Sequence, residues 1–130
     1  MSKVRVLLVD DEQAFLELMT ERLKSWDYQP LTASTGKDAI FLLQQEYVDI
    51  IILDYVMPDM DGFSLIRKIR EINNKIPIIM FTAFPDVNSI KEAEREHVRA
   101  FIPKTSEFGD MNLSLKAYLD EISRQIAEGK

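Results

Sequence analysis

Residues 48–62 read Val48-Asp49-Ile50-Ile51-Ile52-Leu53-Asp54-Tyr55-Val56-Met57-Pro58-Asp59-Met60-Asp61-Gly62. The run from Ile50 to Leu53 is apolar at every position, the pattern of a strand covered on both faces rather than on one. Such a strand belongs in the interior of a sheet, and Asp54 follows it at the point where the chain leaves the core. Working outward, Ile76-Pro77-Ile78-Ile79-Met80-Phe81 repeats the pattern. The reading places strands at Val4 to Val9, Tyr28 to Ala33, Asp49 to Leu53, Ile76 to Phe81 and Val98 to Ile102.

Between the strands the apolar period changes to that of a helix. Phe15, Leu18, Met19, Leu23 and Trp26 share one face, as do Ala39, Ile40, Leu43 and Tyr47, and then Phe63, Ile66, Ile69 and Ile72. A fourth helix, from Asp86 to His97, offers only Val87, Ile90 and Ala93 among many charges and is expected to be weakly held. The last, from about Asp110 to Ala127, carries Leu115, Tyr118, Leu119, Ile122 and Ile126. Strands alternating with helices imply right-handed crossovers and a parallel sheet. At this length the expectation is a flavodoxin-like, doubly wound five-stranded sheet of order 2-1-3-4-5 in three α/β/α layers.

The chain has 130 residues, 46% of them hydrophobic, with five prolines and four glycines, which suits one globular domain over residues 1–130. An output domain elsewhere in a longer protein is left open. The absence of cysteine removes disulfides, zinc-thiolate sites and thiol catalysis. The first apolar run, Val6 to Val9, is too short for a secretory leader or a membrane span, so a cytoplasmic location without membrane association is expected. A net charge of -6 without a basic helical stripe argues against direct nucleic-acid binding.

In a doubly wound sheet ligands bind at the carboxyl ends of the strands. Here strand one ends in Asp10-Asp11-Glu12, strand three in Asp54, strand four in Thr82 and strand five, past Pro103, in Lys104. Carboxylates gathered in a small space repel one another and call for a cation. All-oxygen ligands point to Mg²⁺, with Mn²⁺ as the alternative. Lys104 and Thr82 offer a charge and a hydroxyl to phosphoryl oxygens, so the rim suits phosphoryl transfer. Simpler readings stand beside this one. Asp10-Asp11 could cap the first helix and Asp61 the third, Pro58 and Gly62 are ordinary turn residues, and His97 receives no role.

The ordered set Asp10-Asp11, Asp54, Met57-Pro58, Asp61-Gly62, Thr82-Ala83 and Lys104 resembles the response-regulator receiver family of two-component signalling, from Val4 to about Ile126. The resemblance implies that Asp54 accepts a phosphoryl group from a sensor histidine kinase or a histidine phosphotransfer protein. It implies metal ligation by Asp10, Asp11, Asp54 and the Val56 carbonyl, and phosphate binding and switching by Thr82, Ala83, Lys104 and Phe101. The fourth helix, fifth strand and fifth helix would form the face read by a downstream effector or output domain, with a phosphorylation-dependent dimer as one outcome. Such a chain is a phosphoacceptor with slow autodephosphorylation rather than an enzyme.

Two departures from the family pattern stand out. Thr105 rather than proline follows Lys104, and a cis bond there would cost roughly 2.5–4 kcal/mol, so trans is expected. Val56 and Phe84 are apolar where polar side chains often orient water, which predicts a long-lived phosphorylated state. The alternatives are an Mg²⁺-dependent aspartate-nucleophile phosphatase, which would want a second carboxylate where Val56 stands, and a receiver used only for interaction. A flavin or nucleotide module would meet a repulsive Asp10-Asp11-Glu12 where it needs a phosphate loop.

Overall fold

Each apolar run becomes a short strand, and each amphipathic segment a helix laid across the sheet. The structure is a computed structural model that describes residues 3–83, 87–104 and 108–129. In chain order the elements are β1 (Arg5–Val9), α1 (Gln13–Ser25), β2 (Gln29–Ala33), α2 (Gly36–Gln45), β3 (Ile50–Asp54), α3 (Gly62–Ile72), β4 (Ile78–Thr82), α4 (Val87–Arg95), β5 (Ala100–Pro103) and α5 (Phe108–Glu128). The strands form one sheet of order β2-β1-β3-β4-β5, every pair parallel. The flavodoxin-like winding expected from the sequence is the fold observed.

Successive strand residues point to opposite faces, and the core divides accordingly. Val6, Leu8, Ile50, Ile52, Ile79, Phe81, Ala100 and Ile102 pack with Leu16, Met19 and Leu23 of α1 and with Leu115, Leu119 and Ile122 of α5. Leu7, Val9, Ile51, Leu53, Ile78 and Met80 pack with Phe63, Leu65, Ile66 and Ile69 of α3, Ala39 of α2 and Ala93 of α4. All five residues of β3 are buried. Full burial of one such aliphatic side chain contributes roughly 1.5–3 kcal/mol. Among the described residues no helix is long and apolar enough to cross a membrane.

The boundaries differ from the sequence reading in an instructive way. β4 starts at Ile78 rather than Ile76, because Pro77 has no N–H for the ladder and the Ile76 amide is taken by Asn73 Oδ1 at 3.1 Å. At their carboxyl ends β3 and β4 run one residue further than expected and include Asp54 and Thr82. Several predicted core positions lie at the edge of their stripe: Leu18, Tyr47, Ile72, Ile90 and Tyr118 are exposed, while Leu16 and Leu65 are buried instead. Among the described side chains of α4, Ser89 and Ala93 face inward and Ile90 does not, while the Val87 side chain, also expected on that face, lies outside the described residues.

Helix ends follow local chemistry. Thr35 Oγ1 accepts from the Asp38 amide and caps α2, and Asp61 Oδ1 accepts from the Ser64 amide and caps α3, as the simple reading of Asp61 expected. Asp27 and His97 adopt left-handed backbone, φ 69° and 58°, just past α1 and α4. That conformation turns the chain back toward the sheet, and the amides of Tyr28 and Val98 close the two turns onto Leu23 and Ala93.

The far end of the molecule is tied by Tyr28, whose hydroxyl donates to Asp120 Oδ1 at 2.7 Å and accepts from Ser123 Oγ at 3.1 Å. Burial pushes the Tyr28 phenol up to about 12, with Asp120 adding to the shift. A folded-state value raised above the ordinary 10 means that the stabilisation is complete below pH 10 and is lost as pH rises toward 12. Tyr28→Phe should cost about 1 kcal/mol at neutral pH. In urea titrations at pH 7 and pH 11 the gap between wild type and variant should narrow at the higher pH; a gap that widens contradicts the buried hydrogen-bonded phenol.

Candidate phosphoryl-transfer site

Three strands deliver their first polar side chain past the core to the same side of the sheet. Asp10 continues the Val6, Leu8 alternation of β1, Asp54 the Ile50, Ile52 alternation of β3, and Lys104 the Ala100, Ile102 alternation of β5, all on the face that α1 and α5 cover. The Asp10 amide is held by the Ala33 carbonyl at 3.1 Å and the Lys104 amide by the Thr82 carbonyl at 2.6 Å. Backbone bonds between strand ends therefore fix the separation of the functional groups.

Asp10 is 2% exposed and Asp54 is 7% exposed, whereas Asp11 faces solvent. Carboxylate oxygens of these three residues lie within 4.8 Å of one another. The Lys104 ammonium sits among them, 2.7 Å from Asp10 Oδ2, 3.3 Å from Asp54 Oδ2 and 3.1 Å from Glu12 Oε1. Its three N–H donors have three carboxylate acceptors. Asp10 Oδ1 accepts from the Glu12 amide at 2.9 Å, and Asp54 Oδ1 from the Val56 amide at 3.3 Å.

Burial pushes the Asp10 carboxyl above its ordinary range, opposed by the hydrogen bonds from Lys104 and the Glu12 amide. The Asp54 carboxyl is likewise pushed up by burial, against the attraction of the Lys104 charge. Burial also disfavours the Lys104 charge, but the carboxylates of Asp10, Asp54 and Glu12 outweigh it and hold the ammonium above its usual value. One lysine thus faces an excess of acid. An oxygen-only cluster with surplus negative charge fits a hard divalent cation of the Mg²⁺ type, and Asp10, Asp11 and Asp54 are the residues that would hold it.

The capping reading of Asp10-Asp11 does not describe the structure. The N-cap of α1 is Glu12, which makes no side-chain cap bond, and Asp10, two residues before it, divides its carboxylate between the Glu12 amide and Lys104. Thr82 ends β4 and is 1% exposed, beside Asp54 in the sheet, since Asp54 pairs with Phe81. Ala83 follows it at the surface. Phe101 stands inside β5 opposite Met80 and packs, half-buried, on the opposite core from the acids. Val56 is 62% exposed at the mouth of the site. Phe84 and Thr105 lie outside the described residues.

Three contributors escaped the sequence reading. Glu12 bonds Lys104 at 3.1 Å, and its place directly after the acid pair is the signal the sequence offers. Gly62 is more than turn punctuation: its amide donates to the Tyr55 carbonyl at 2.7 Å, and a Cβ there would stand 2.9 Å from Tyr55 Cα and 3.2 Å from the Asp54 carbonyl oxygen. Any side chain would push the turn that carries Asp54. Asp59, from the same turn, accepts from the Gly36 and Lys37 amides at 3.0 Å each and ties the turn to the start of α2. Nothing in the sequence linked positions 23 residues apart.

A family profile described as "Response regulator receiver domain" matches residues 6–116. The chain is 42% identical over 86 residues to the probable transcriptional regulator ycf27 of Guillardia theta, covering 66% of this chain and 34% of that protein. It spans about a third or less of the length of the curated relatives it matches first. Among solved structures it is similar to a CheY-like receiver domain protein from Methanospirillum hungatei JF-1, with a TM-score of 0.84, 25% identity and coverage of 95% of this chain and 99% of that one. It is also similar to the response regulator TrrA from Thermotoga maritima in complex with Mg²⁺-BeF, with a TM-score of 0.75, 28% identity and coverage of 88% and 98%. Fold, strand-end acids and profile agree, and the chain belongs to the response-regulator receiver domain family of two-component systems.

Proposed function

We propose that this receiver takes a phosphoryl group onto Asp54 from a phosphohistidine of a sensor histidine kinase or histidine phosphotransfer protein. The observation that carries the reading is a buried Asp54 carboxylate with two further acids within 4.8 Å and the Lys104 ammonium 3.3 Å away. An Asp54 carboxylate oxygen attacks phosphorus, the P–N bond breaks with its electron pair going to the leaving imidazole, and an acyl phosphate forms on Asp54. Asp10, Asp11 and Asp54, joined by the Val56 carbonyl, would hold Mg²⁺ or Mn²⁺, which supplies charge neutralisation for the incoming phosphoryl oxygens.

Lys104 and Thr82 are the groups of this chain that reach those oxygens, and Ala83 leaves the approach open. Lys104 is pre-positioned by its bonds to the acids and exchanges them for bonds to the phosphoryl group. Movement of Thr82 toward the phosphate makes room on its side of β4, into which Phe101 rotates, and the α4-β5-α5 face changes for a downstream effector or output domain. The exposure of Ile90 on α4, where the described inward side chains are the small Ser89 and Ala93, supports this part of the reading. The chain acts as a cytoplasmic phosphoacceptor and makes no direct contact with nucleic acid. A phosphorylation-dependent dimer through that face belongs to the same reading.

Incubation with Mg²⁺ and acetyl phosphate should add one phosphoryl group to the wild type, and Asp54→Ala should abolish it by intact mass. Labelling of the variant at Asp10 or Asp11 would overturn the assignment. Asp11→Ala should retain the fold and lose the response to the ion. Thermal melts should show wild type gaining about 2.7 kcal/mol at a hundredfold excess of Mg²⁺ over its Kd while the variant gains nothing, and an Mg²⁺-insensitive wild type would sink the metal site.

Val56 stands at the mouth of the site with no hydrogen bond to offer an attacking water, and Phe84 was expected to act with it. After removal of the donor, Val56→Asn and Phe84→Glu should each lose the acyl phosphate severalfold faster than wild type. Unchanged or slower decay in both variants refutes this account of its lifetime.

A further inference from the structure

The sequence placed Phe15 in the apolar stripe of α1, among residues whose work is to cover the sheet. The structure gives its ring a second neighbour. Lys104 Nζ lies 4.3 Å from the centroid of the Phe15 ring, inside the range at which a cation is attracted by an aromatic face. The ring is itself held edge-on by Phe81 of β4, with centroids 5.8 Å apart and planes at 83°. Phe81 is 1% exposed and directly precedes Thr82. Lys104 is 13% exposed along its side chain, so the cation and ring meet with little water between them.

We infer that Phe15 is a positioning residue for Lys104: its ring keeps the ammonium over Asp54 when a divalent cation claims the carboxylates that hold it otherwise. The inference rests on the phosphoacceptor reading of Asp54. Of the four groups around the ammonium among the described residues, Asp10 and Asp54 also belong to the acid cluster that fits a metal. An ion bound there competes with Lys104 for the same oxygens and repels its charge. Glu12 and Phe15 lie outside that trio of acids, so they remain. Glu12 occupies an N–H donor and, being exposed, is screened by solvent. The aromatic face attracts the charge without an acceptor atom, and so leaves N–H donors free for phosphoryl oxygens. The edge-on contact with Phe81 holds the orientation of the ring.

The test measures binding of fluoroberyllate, a phosphoryl mimic, at saturating Mg²⁺, and Mg²⁺ binding alone, in wild type, Phe15→Leu and Phe15→Tyr. A series with mono-, di- and trifluorophenylalanine at position 15 drains the aromatic face while keeping its shape, and remains available if the leucine variant fails to fold. Phe15→Leu should weaken fluoroberyllate binding roughly three- to tenfold, with Mg²⁺ affinity unchanged, while Phe15→Tyr binds as wild type does. Affinity should fall stepwise with each added fluorine. In the metal-free protein the Lys104 ε-methylene protons should be shifted upfield by the ring, and Phe15→Leu should abolish that shift.

Equal fluoroberyllate binding by wild type and Phe15→Leu, a tyrosine variant as weak as leucine, a flat fluorine series, or a parallel loss of Mg²⁺ affinity would each overturn the positioning role and leave the phosphoacceptor reading standing. A wild type that takes up Mg²⁺ but no fluoroberyllate overturns that reading, and this inference with it.

Discussion

The burial of β3 on both faces is the constraint from which the rest of the molecule follows. A strand whose five residues are all covered cannot offer a polar side chain along its length without a penalty of several kcal/mol. Its carboxylate therefore belongs at the end of the strand, where the helices that cover the sheet give way. The parallel direction of every strand then brings all such ends to one rim. Because side chains alternate with period two, Asp10, Asp54 and Lys104 inherit the face already set by Val6 and Leu8, Ile50 and Ile52, and Ala100 and Ile102.

The charges at that rim are balanced only in part. Asp10, Asp54 and Glu12 share the Lys104 ammonium, with the Asp11 carboxylate close to the two buried acids, and burial pushes both Asp10 and Asp54 upward from their ordinary range. Removing one member of a buried pair typically costs about 3–5 kcal/mol, since the partner is left without compensation. Lys104 thus serves the resting state and the proposed loaded state alike, with carboxylates as partners in the first and phosphoryl oxygens in the second. A lysine suits this exchange, being a compact charge on a flexible stem with rotatable donors.

The turn after β3 is as specified as the strand before it. Gly62 lets it close against Asp54 and Tyr55, Asp61 caps α3, and Asp59 caps α2 through the Gly36 and Lys37 amides. A side chain that satisfies helix-terminal amides contributes about 0.5–2 kcal/mol. Two such side chains from one turn make the segment carrying Asp54 a common anchor for two helices. The side of the site toward α2 and α3 is thus tied by side-chain caps as well as by the sheet. On the opposite flank, the described side chains of α4 that enter the core are Ser89 and Ala93.

Strand identity, winding, and the acids and lysine at strand ends were legible in the sequence, because both-face burial demands uninterrupted apolar runs and the residues that break them are conspicuous. Helix faces were legible only approximately. Leu18, Tyr47, Ile72, Ile90 and Tyr118 sit at stripe edges where a turn of the helix by a few tens of degrees decides exposure, and that rotation is set by the neighbouring element rather than by the periodicity. The tertiary structure alone decided which acid faces Lys104, that Asp59 reaches α2 across 23 residues, and that Phe15 lies against a charge as well as a core. Each depends on distances between elements remote in the chain, and a one-dimensional pattern records which residues are apolar or charged but not what stands across from them.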